Sequence, residues 1–377
     1  MTIVQEAAAS GTGQSAATGL QLVDTDVHNI CMSEQLKPYM AERWWDYLTT
    51  YGLRTRHDSD MAPYLRPMAA RADSIPPNGM PGSDPEFTKA QHLDAYGIDV
   101  AILNNIPGQV WHVGGAQPLE LSAALLAANN EWAMNDWFTS DPRWRASICS
   151  AVEDGTAAVT EIERCIGLSD RFVQIIVPMR TQRPFGHYKY WPLLEAAAGI
   201  GLPLAFHPGG TGMNQITGSG WPSYYFEHHA GYPQSMVSQI ASLIAHGVFD
   251  RWPDLKIVVT EGGWSWVAPV AWRLDASWRV LREEVPHLQR KPSEYLREHF
   301  WFTTQPAEEP EDKRWHVPVV EQFESLGLEN RLMYSSDYPH WDFDAPDQAV
   351  PKVFGEERRR RIMVDNAAAL YGFGGAA

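Results

Sequence analysis

The amino-acid sequence predicts an α/β protein built as a single (β/α)8 barrel. Short apolar runs alternate with segments of helical periodicity, and eight such pairs can be counted in the 377 residues. Four of the runs end in an Asp, His or Glu side chain. Strands buried on both faces produce apolar runs of this kind, and the C-terminal ends of barrel strands carry the chemistry. We therefore expect a barrel domain over residues 21–377, preceded by a disordered tail at residues 1–20.

The predicted elements follow one another along the chain without an internal repeat or a domain linker. The strands are expected at residues 22–28, 98–103, 144–152, 172–177, 202–207, 255–260, 300–303 and 331–336. Helical periodicity is found at residues 34–52, 91–96, 118–139, 155–166, 190–198, 235–246, 264–280 and 355–371. Long loops are predicted after strand 1, at residues 53–87, and after strand 5, at residues 209–234. Loops of this length in a compact domain are usually functional.

Composition narrows the class of partner. The formal net charge is −16, so neither nucleic acid nor an anionic membrane surface is expected to bind, and a small substrate remains. The three cysteines are too few and too irregularly spaced for a disulfide framework, which predicts thiols in a reducing cytoplasm. No run of 18 apolar residues suggests a membrane span, and the first twenty residues contain no Lys or Arg of a targeting signal.

The polar ends of four predicted strands indicate a site for a divalent cation. Asp26 and His28 stand two residues apart on the first strand, so that both side chains lie on the same face and can grip one ion. His207, Glu261 and Asp337 end three later strands. A mixture of carboxylate and imidazole ligands suits Zn, Mn or Fe(II). Alternatively, Asp26 could hydrogen-bond a neighbouring strand, and Asp337 could cap the next helix.

These motifs together resemble the amidohydrolase-2 branch of the amidohydrolase superfamily. The resemblance rests on Asp-Thr-Asp-Val-His from residue 24, His-Pro-Gly from residue 207, Gly-Gly at 262–263 and Ser-Asp-Tyr-Pro from residue 336. Flanking phrases at residues 247–256 and 365–372 agree with it. It spans roughly residues 23–373 and implies a metal-dependent enzyme, a group that includes non-oxidative decarboxylases of aromatic acids.

The resemblance implies a role for each matching residue. Asp26, His28, His207 and Asp337 would bind one divalent ion, Zn or Mn before Fe, and Asp337 would also move protons. Two positions depart from the family pattern: Asp26 stands where His or Glu is usual, and Glu261 stands where many relatives carry a His. Glu261 could be an acid–base group, an anchor for a ligand, or structural.

Further candidates lie in the loops. His228, and less so its neighbour His229, would meet the substrate from the loop after strand 5 as a catalytic group. Arg180 is a candidate clamp for a substrate carboxylate, because guanidinium binds carboxylate through two parallel hydrogen bonds. Its rivals are Arg54 and Arg56, and each of the three could equally be a solvated surface charge. Trp221 and His340 are further substrate-binding candidates, and His340 could alternatively pack beneath the barrel mouth.

The favoured function is non-oxidative decarboxylation of a small aromatic or conjugated carboxylic acid. The alternative is hydrolysis of an amide, ester, lactone or C–C bond by metal-bound hydroxide, since both reactions share the fold and the ligands. A non-catalytic binding scaffold is disfavoured because the ligand residues are retained. The resemblance also implies a homodimer.

Overall fold

The computed structural model describes residues 19–52, 69–105, 117–210 and 215–374. Eight parallel strands form one sheet in sequential order from β1 to β8. They are Val23–Val27, Val100–Leu103, Trp144–Cys149, Phe172–Arg180, Leu204–Gly210, Ile257–Val259, Phe300–Thr303 and Leu332–Met333. The (β/α)8 prediction is confirmed. The predicted tail at residues 1–20 falls almost entirely outside the described residues. Residues 53–68 of the predicted loop after β1 also lie outside them.

The sheet closes on itself between the chain segments that follow β8 and β1. The Asp337 N–H donates to the Asp26 carbonyl over 3.0 Å, and the His28 N–H donates to the Tyr338 carbonyl over 2.7 Å. Lower in the barrel, the Thr25 N–H donates to the Tyr334 carbonyl. β8 itself is only two residues long, so the barrel is closed mainly by the bonds of the residues that follow it. These bonds also bring the predicted ligands of β1 and of the segment after β8 together.

Each strand is followed by at least one helix. The helices of eight or more residues are Glu42–Tyr51, Leu119–Trp132, Gly155–Leu168, Trp191–Ile200, Tyr232–Ala245, Val267–Val280, Pro292–His299 and His316–Glu324. The chain ends in the helical segments Glu356–Arg360, Arg361–Asp365 and Asn366–Tyr371. Among the described residues, no helix combines the length and the hydrophobicity needed to cross a bilayer.

One predicted helix is wrong as a single element. Residues 34–52 divide into Ser33–Leu36, a 3-10 turn Lys37–Tyr39 and Glu42–Tyr51. Pro38 lies in the turn and has no N–H to donate, and Met40 and Ala41 are extended. The helices Pro292–His299 and His316–Glu324 were absent from the prediction.

The end of the barrel opposite the ligands is filled with apolar side chains. Six strands contribute one side chain each to this cluster: Val23, Val100, Ala205, Val258, Trp301 and Met333. Val364, Ala367 and Leu370 of the C-terminal helical segments pack against them. This packing makes one end a solid core and leaves polar chemistry to the other end.

Candidate metal centre

Five buried side chains converge where the strands end. Asp26 and His28 come from the end of β1, His207 from β5, Glu261 from just after β6, and Asp337 from after β8; each is at most 5% exposed. One ligand atom from each of Asp26, His28, His207 and Glu261 lies within 4.8 Å of the others, and His28, Glu261, Asp337 and His340 form a second such group. The two groups share His28 and Glu261, so they form one cluster. The Glu261 carboxylate therefore lies in the cluster, and whether it acts as an acid–base group, an anchor or a structural group stays a prediction.

The backbone takes an uncommon conformation at two of these residues. Glu261 has a φ of 52° and Asp337 a φ of 59°, in the left-handed region that non-glycine residues rarely adopt. The Glu261 N–H donates to Thr303 Oγ1 over 3.1 Å, and the hydrogen bond from the Asp337 N–H to Asp26 holds the second turn. Such strained conformations persist only where the surrounding structure holds them, and they are found most often at active sites and ligand-binding sites.

Both histidines are oriented by backbone carbonyls. His28 Nδ1 lies 2.8 Å from the Asn104 carbonyl oxygen, and His207 Nδ1 lies 2.9 Å from the Pro208 carbonyl oxygen. A carbonyl can only accept, so each Nδ1 carries the hydrogen. In the neutral ring, each Nε2 then offers a lone pair to the cluster, which is the usual arrangement of metal-binding histidine.

The distances and the unsatisfied oxygens fit a bound cation. His28 Nε2 lies 2.7 Å from Asp337 Oδ1 and 3.5 Å from Asp26 Oδ1, and His207 Nε2 lies 3.0 Å from Glu261 Oε2. Two ligands at metal–ligand distances near 2.1 Å and at right angles are about 3 Å apart. Asp26 Oδ2 and Asp337 Oδ2 are buried without a hydrogen-bond partner among the described residues. A bound cation would satisfy such oxygens.

The electrostatics of the cluster also favour a positive charge at its centre. Burial alone would lower the pKa of His207, but the charges of Glu261 and Asp26 outweigh it and raise that pKa well above its ordinary value. Burial and the neighbouring Asp337 carboxylate raise the pKa of Glu261, although His207 opposes the shift. Burial would raise the pKa of Asp337, but His340 and His28 lower it below its ordinary value. The carboxylates thus repel one another and stabilise cations beside them.

His340 was predicted to bind substrate, and its ring contacts a predicted ligand. Its Nδ1 lies 2.7 Å from Asp337 Oδ1, and its side chain is 16% exposed. Burial would lower the pKa of His340, but the charge of Asp337 raises it to about 9. His340 therefore contacts Asp337 and is partly exposed, and its role in substrate binding stays a prediction.

Asn104 joins two predicted ligands and was missed by the sequence analysis. Its side-chain N–H donates to Asp26 Oδ1 over 2.8 Å, while its carbonyl accepts from His28. Its own side-chain oxygen accepts from Ser147 Oγ and, over 3.0 Å, from Gln174 Nε2. Nothing in the sequence marks an Asn that follows a strand as special, because its partners are 43 to 79 positions away.

We expect Asn104→Ala to weaken the binding of a divalent metal ion by about 10- to 100-fold, the usual effect of removing a partner of metal ligands, if Asp26 and His28 are ligands as predicted. The substitution removes the donor that orients the Asp26 carboxylate, while the carbonyl that holds His28 stays. Titration with Mn²⁺ in a metal buffer would measure the dissociation constant. Asn105→Ala is the matched control, because Asn105 is equally buried but its side chain donates to Asn129. Equal affinity in wild type and Asn104→Ala would contradict the assignment.

A short helix from the loop after β5 lies near the cluster. It spans Tyr225–His229, and the His228 ring packs between Tyr225 and Tyr232, at centroid distances of 5.9 and 5.3 Å. Burial raises the pKa of Tyr225, and the Glu261 charge adds to the shift, so Tyr225 is within electrostatic reach of the cluster. His228 is thus buried beside the site, as a catalytic candidate requires, but it is not in either ligand group.

His229 has a different environment from His228. Its Nε2 lies 2.9 Å from Asp342 Oδ2, and that carboxylate also accepts from Gln305 Nε2 over 2.8 Å. Burial would lower the pKa of His229, but the hydrogen bond and charge of Asp342 raise it. His229 therefore ties the helix after β5 to the segment after β8.

The remaining predicted substrate-binding residues lie at the end of β4 and in the loop after β5. Arg180 ends β4 and is 4% exposed, and it lines a cavity whose described walls include none of the cluster residues; its role as a clamp stays a prediction. Trp221 is 43% exposed in the loop after β5, where its role in substrate binding stays a prediction. Arg54 and Arg56 lie outside the described residues.

Asp344, in the segment after β8, is expected to make the stability of the protein depend on pH. Burial, then the charges of Glu309 and Asp342, raise its pKa to about 7. A carboxyl whose pKa is raised by folding binds a proton more tightly in the folded state. Its contribution to stability is therefore present below the unfolded pKa near 4 and is lost as the pH rises to about 7.

We expect Asp344→Asn to melt at the same temperature as wild type near pH 4 and a few degrees higher at pH 8. Partial exposure limits the gain at pH 8 to about 1–2 kcal/mol. Melting curves of both proteins from pH 4 to 8 would measure it. Asp347→Asn is the control, because hydrogen bonding to Arg359 lowers the pKa of Asp347 and its effect should not vary above pH 5. A constant difference for Asp344→Asn across this range would contradict the expectation.

The chain is similar to a known protein family and to characterised relatives. A model of the Amidohydro_2 family, described as amidohydrolase, matches residues 23–373. The γ-resorcylate decarboxylase of Polaromonas sp. strain JS666 is 22% identical over 308 residues, which are 76% of this chain and 87% of the relative.

Two solved structures share the fold. An amidohydrolase from Mycobacterium avium subsp. paratuberculosis K-10 superimposes with a TM-score of 0.70 at 20% identity, covering 94% of this chain and 99% of the other. The 5-carboxyvanillate decarboxylase of Novosphingobium aromaticivorans, complexed with manganese and 4-hydroxy-3-methoxy-5-nitrobenzoic acid, gives a TM-score of 0.65 at 20% identity, covering 95% and 98%.

Proposed function

The chain belongs to the Amidohydro_2 family of amidohydrolases, and on this premise we propose that it is a divalent-metal-dependent decarboxylase of a small aromatic or conjugated carboxylic acid. The observation that carries the proposal is the buried convergence of three carboxylates and two imidazoles at the C-terminal ends of the barrel strands. The decarboxylase names of the two relatives described above support the reaction class.

We propose Mn²⁺ as the ion. Asp26, His28, His207 and Asp337 would hold it, and Glu261 is within reach as a further ligand. The four proposed ligands are two carboxylates and two imidazoles, and Glu261 would add a third carboxylate; carboxylate ligands suit Mn²⁺. When bound, the ion supplies Lewis-acid chemistry and a template for the carboxylate and an adjacent oxygen of the substrate.

Asp337 and His340 would handle the proton that replaces carbon dioxide on the substrate. His340 Nδ1 and Asp337 Oδ1 are 2.7 Å apart, which is hydrogen-bond distance, so a proton can be held between them and passed toward the barrel mouth. Asp337 would deliver the proton to the carbon that loses CO2. His340 would position Asp337 and exchange the proton with solvent.

The walls around the cluster suit a flat substrate. Tyr225 and Trp341 lie with their ring centroids 6.4 Å apart in edge-to-face geometry, and Trp341 is 47% exposed. His228 contacts the other side of Tyr225 and keeps its proposed role as a group that meets the substrate from above. Aromatic walls bind aromatic rings by stacking and edge contacts.

The test is a product assay on purified, Mn²⁺-loaded protein. A panel of hydroxylated benzoic acids, including γ-resorcylate and 5-carboxyvanillate, would be assayed for CO2 release, and matched benzamides, aryl esters and lactones for hydrolysis. We expect CO2 release from at least one acid. Hydrolysis without CO2 release would replace the decarboxylase proposal with the alternative of a metal-dependent hydrolase, which uses the same side chains.

We also propose that the protein is a cytoplasmic homodimer. The helix Val267–Val280 supports a dimer contact, because Trp272 is 51% exposed and Val280 is 82% exposed on its surface. Sedimentation velocity at micromolar concentration would distinguish a dimer from a monomer.

A further inference from the structure

A second pair of buried polar side chains, Asp24 and His92, lies beside the metal centre but belongs to neither ligand group. His92 is part of the helical segment Lys89–Asp94, and its Nε2 lies 2.8 Å from Asp24 Oδ2. Both side chains are fully buried. A buried carboxylate is tolerated only where hydrogen bonds offset its loss of water, so the bonds of Asp24 account for its position.

A β-bulge separates Asp24 from the proposed ligand Asp26. The pairing of β1 with β2 runs from Asp24 opposite Ala101 to Val27 opposite Leu103, so β1 contains one extra residue over this stretch. In a regular strand, side chains two positions apart share a face. The bulge lets the Asp24 carboxylate reach the helical segment that contains His92 while the Asp26 carboxylate reaches the cluster.

One oxygen of Asp24 holds both irregular segments that carry proposed ligands. Asp24 Oδ1 accepts the Asp26 N–H over 3.1 Å and the Ser336 N–H over 3.0 Å. Ser336 directly precedes Asp337 and lies beyond the two-residue strand β8. Buried backbone N–H groups need an acceptor, and this oxygen supplies it to both segments. Asp26 and Asp337 are therefore tied to a common point.

His92 holds the other oxygen of the Asp24 carboxylate. An ionised carboxylate can only accept, so His92 Nε2 carries the hydrogen of this bond. The His92 ring stacks on the Tyr338 ring at a centroid distance of 4.7 Å, and the Tyr338 hydroxyl donates to Gln91 Oε1 over 2.5 Å. The carboxylate thus has partners on both oxygens and little freedom to rotate.

We propose that Asp24, held by His92, is a positioning residue of the metal centre. It fixes the bulge of β1 and the start of the segment after β8, so that the carboxylates of Asp26 and Asp337 face the same ion. The inference rests on the proposed metal centre but not on the reaction assigned to it. Loss of the pair would lower the affinity for the metal, because the ligands would no longer be held in place.

Calorimetric titration of the full chain with Mn²⁺, after removal of metal and without substrate, tests the proposal. We expect Asp24→Ala to weaken Mn²⁺ binding at least about tenfold, as when other partners that orient metal ligands are removed. Asp24→Asn keeps an oxygen that can accept both N–H groups and should stay within about threefold of wild type.

Asp99→Ala is the matched control on the same strand. Asp99 Oδ2 accepts the N–H groups of Gln21 and Leu22, over 2.6 and 3.0 Å, at the opposite end of β1 from the cluster. The variant therefore also loses an acceptor of two backbone N–H groups. We expect it to lower the melting temperature of the metal-free protein and to leave the affinity for Mn²⁺ unchanged.

Two variants of His92 provide the test if Asp24→Ala does not fold. His92→Phe keeps a ring that can stack on Tyr338 but has no N–H to donate, and it should weaken Mn²⁺ binding about tenfold. His92→Gln keeps a side-chain N–H and should bind Mn²⁺ more tightly than His92→Phe.

The outcomes separate this proposal from those on the metal and the reaction. Wild-type affinity in folded Asp24→Ala, or in His92→Phe if Asp24→Ala does not fold, would overturn the positioning role. Asp24→Asn binding as weakly as Asp24→Ala would also overturn it, because the charge of Asp24 and not its hydrogen bonds would then be responsible. If wild type bound no Mn²⁺, the metal centre and the positioning role would both be overturned. Metal binding without CO2 release would overturn the proposed reaction alone.

Discussion

Replacing Asp337 with asparagine is expected to lower kcat by at least about a thousandfold, because one substitution removes both the proposed metal ligand and the proposed proton carrier. Asparagine is nearly isosteric with aspartate but carries no negative charge and cannot be protonated in this pH range. Its amide would also face His28 Nε2 and His340 Nδ1, which now lie 2.7 Å from the same carboxylate oxygen.

The measurement combines turnover of an identified substrate with the metal content of the purified variant. Asp344→Asn is the matched control, since Asp344 lies in the same segment but outside both ligand groups, and it should keep wild-type turnover. Loss of turnover with full metal content would separate the proton role from metal binding. Wild-type turnover in Asp337→Asn would remove Asp337 from the mechanism.

The fold could be predicted from local patterns because each strand carries its own signal. The apolar run at residues 300–303, for example, is the strand Phe300–Thr303 without any change of bounds. β8 was predicted over residues 331–336 but covers only Leu332–Met333. After Met333 the chain is hydrogen-bonded to residues of β1 but is not a regular strand. Pairing between segments so far apart in the sequence leaves no local sequence pattern.

Part of the candidate site followed from the same signals. Asp26, His28, His207 and Asp337 were predicted because they end apolar runs, and the barrel brings them together. The role of Glu261 was left open, because a Glu side chain after a strand can face either the site or the surrounding structure. Its left-handed backbone turns the carboxylate inward, and sequence periodicity contains no information about a single φ angle.

The surroundings of Arg180 could not be predicted from the sequence. Its position after an apolar run suggested a clamp for a substrate carboxylate, and that role stays a prediction. The structure places it against a cavity whose walls come partly from the helix Tyr232–Ala245. The direction of a long side chain at the end of a strand depends on neighbours more than 30 residues away in the sequence. Gln239, which hydrogen-bonds to the Met179 carbonyl, is one such neighbour.

Removing the metal is expected to abolish turnover, to below about 1% of the loaded protein, and to lower the melting temperature by about 5 °C. At a ligand concentration about a thousand times the dissociation constant, a bound ion stabilises the folded state by about 4 kcal/mol, and the melting entropy of a chain of this size converts that to a few degrees. Without the ion, the buried oxygens of Asp26, Glu261 and Asp337 repel one another at close range.

Dialysis against EDTA, followed by dialysis against Mn²⁺ or Zn²⁺, would measure both effects, and dialysis against EDTA already saturated with Mn²⁺ is the control for the chelator itself. We expect Mn²⁺ to restore more turnover than Zn²⁺, because carboxylates suit Mn²⁺ and the cluster offers three of them, from Asp26, Glu261 and Asp337. Better restoration by Zn²⁺ would overturn the choice of ion and leave the site intact. Full turnover in metal-free protein would overturn the site itself, because the carboxylates gathered at the barrel mouth would then have no cation to explain their burial.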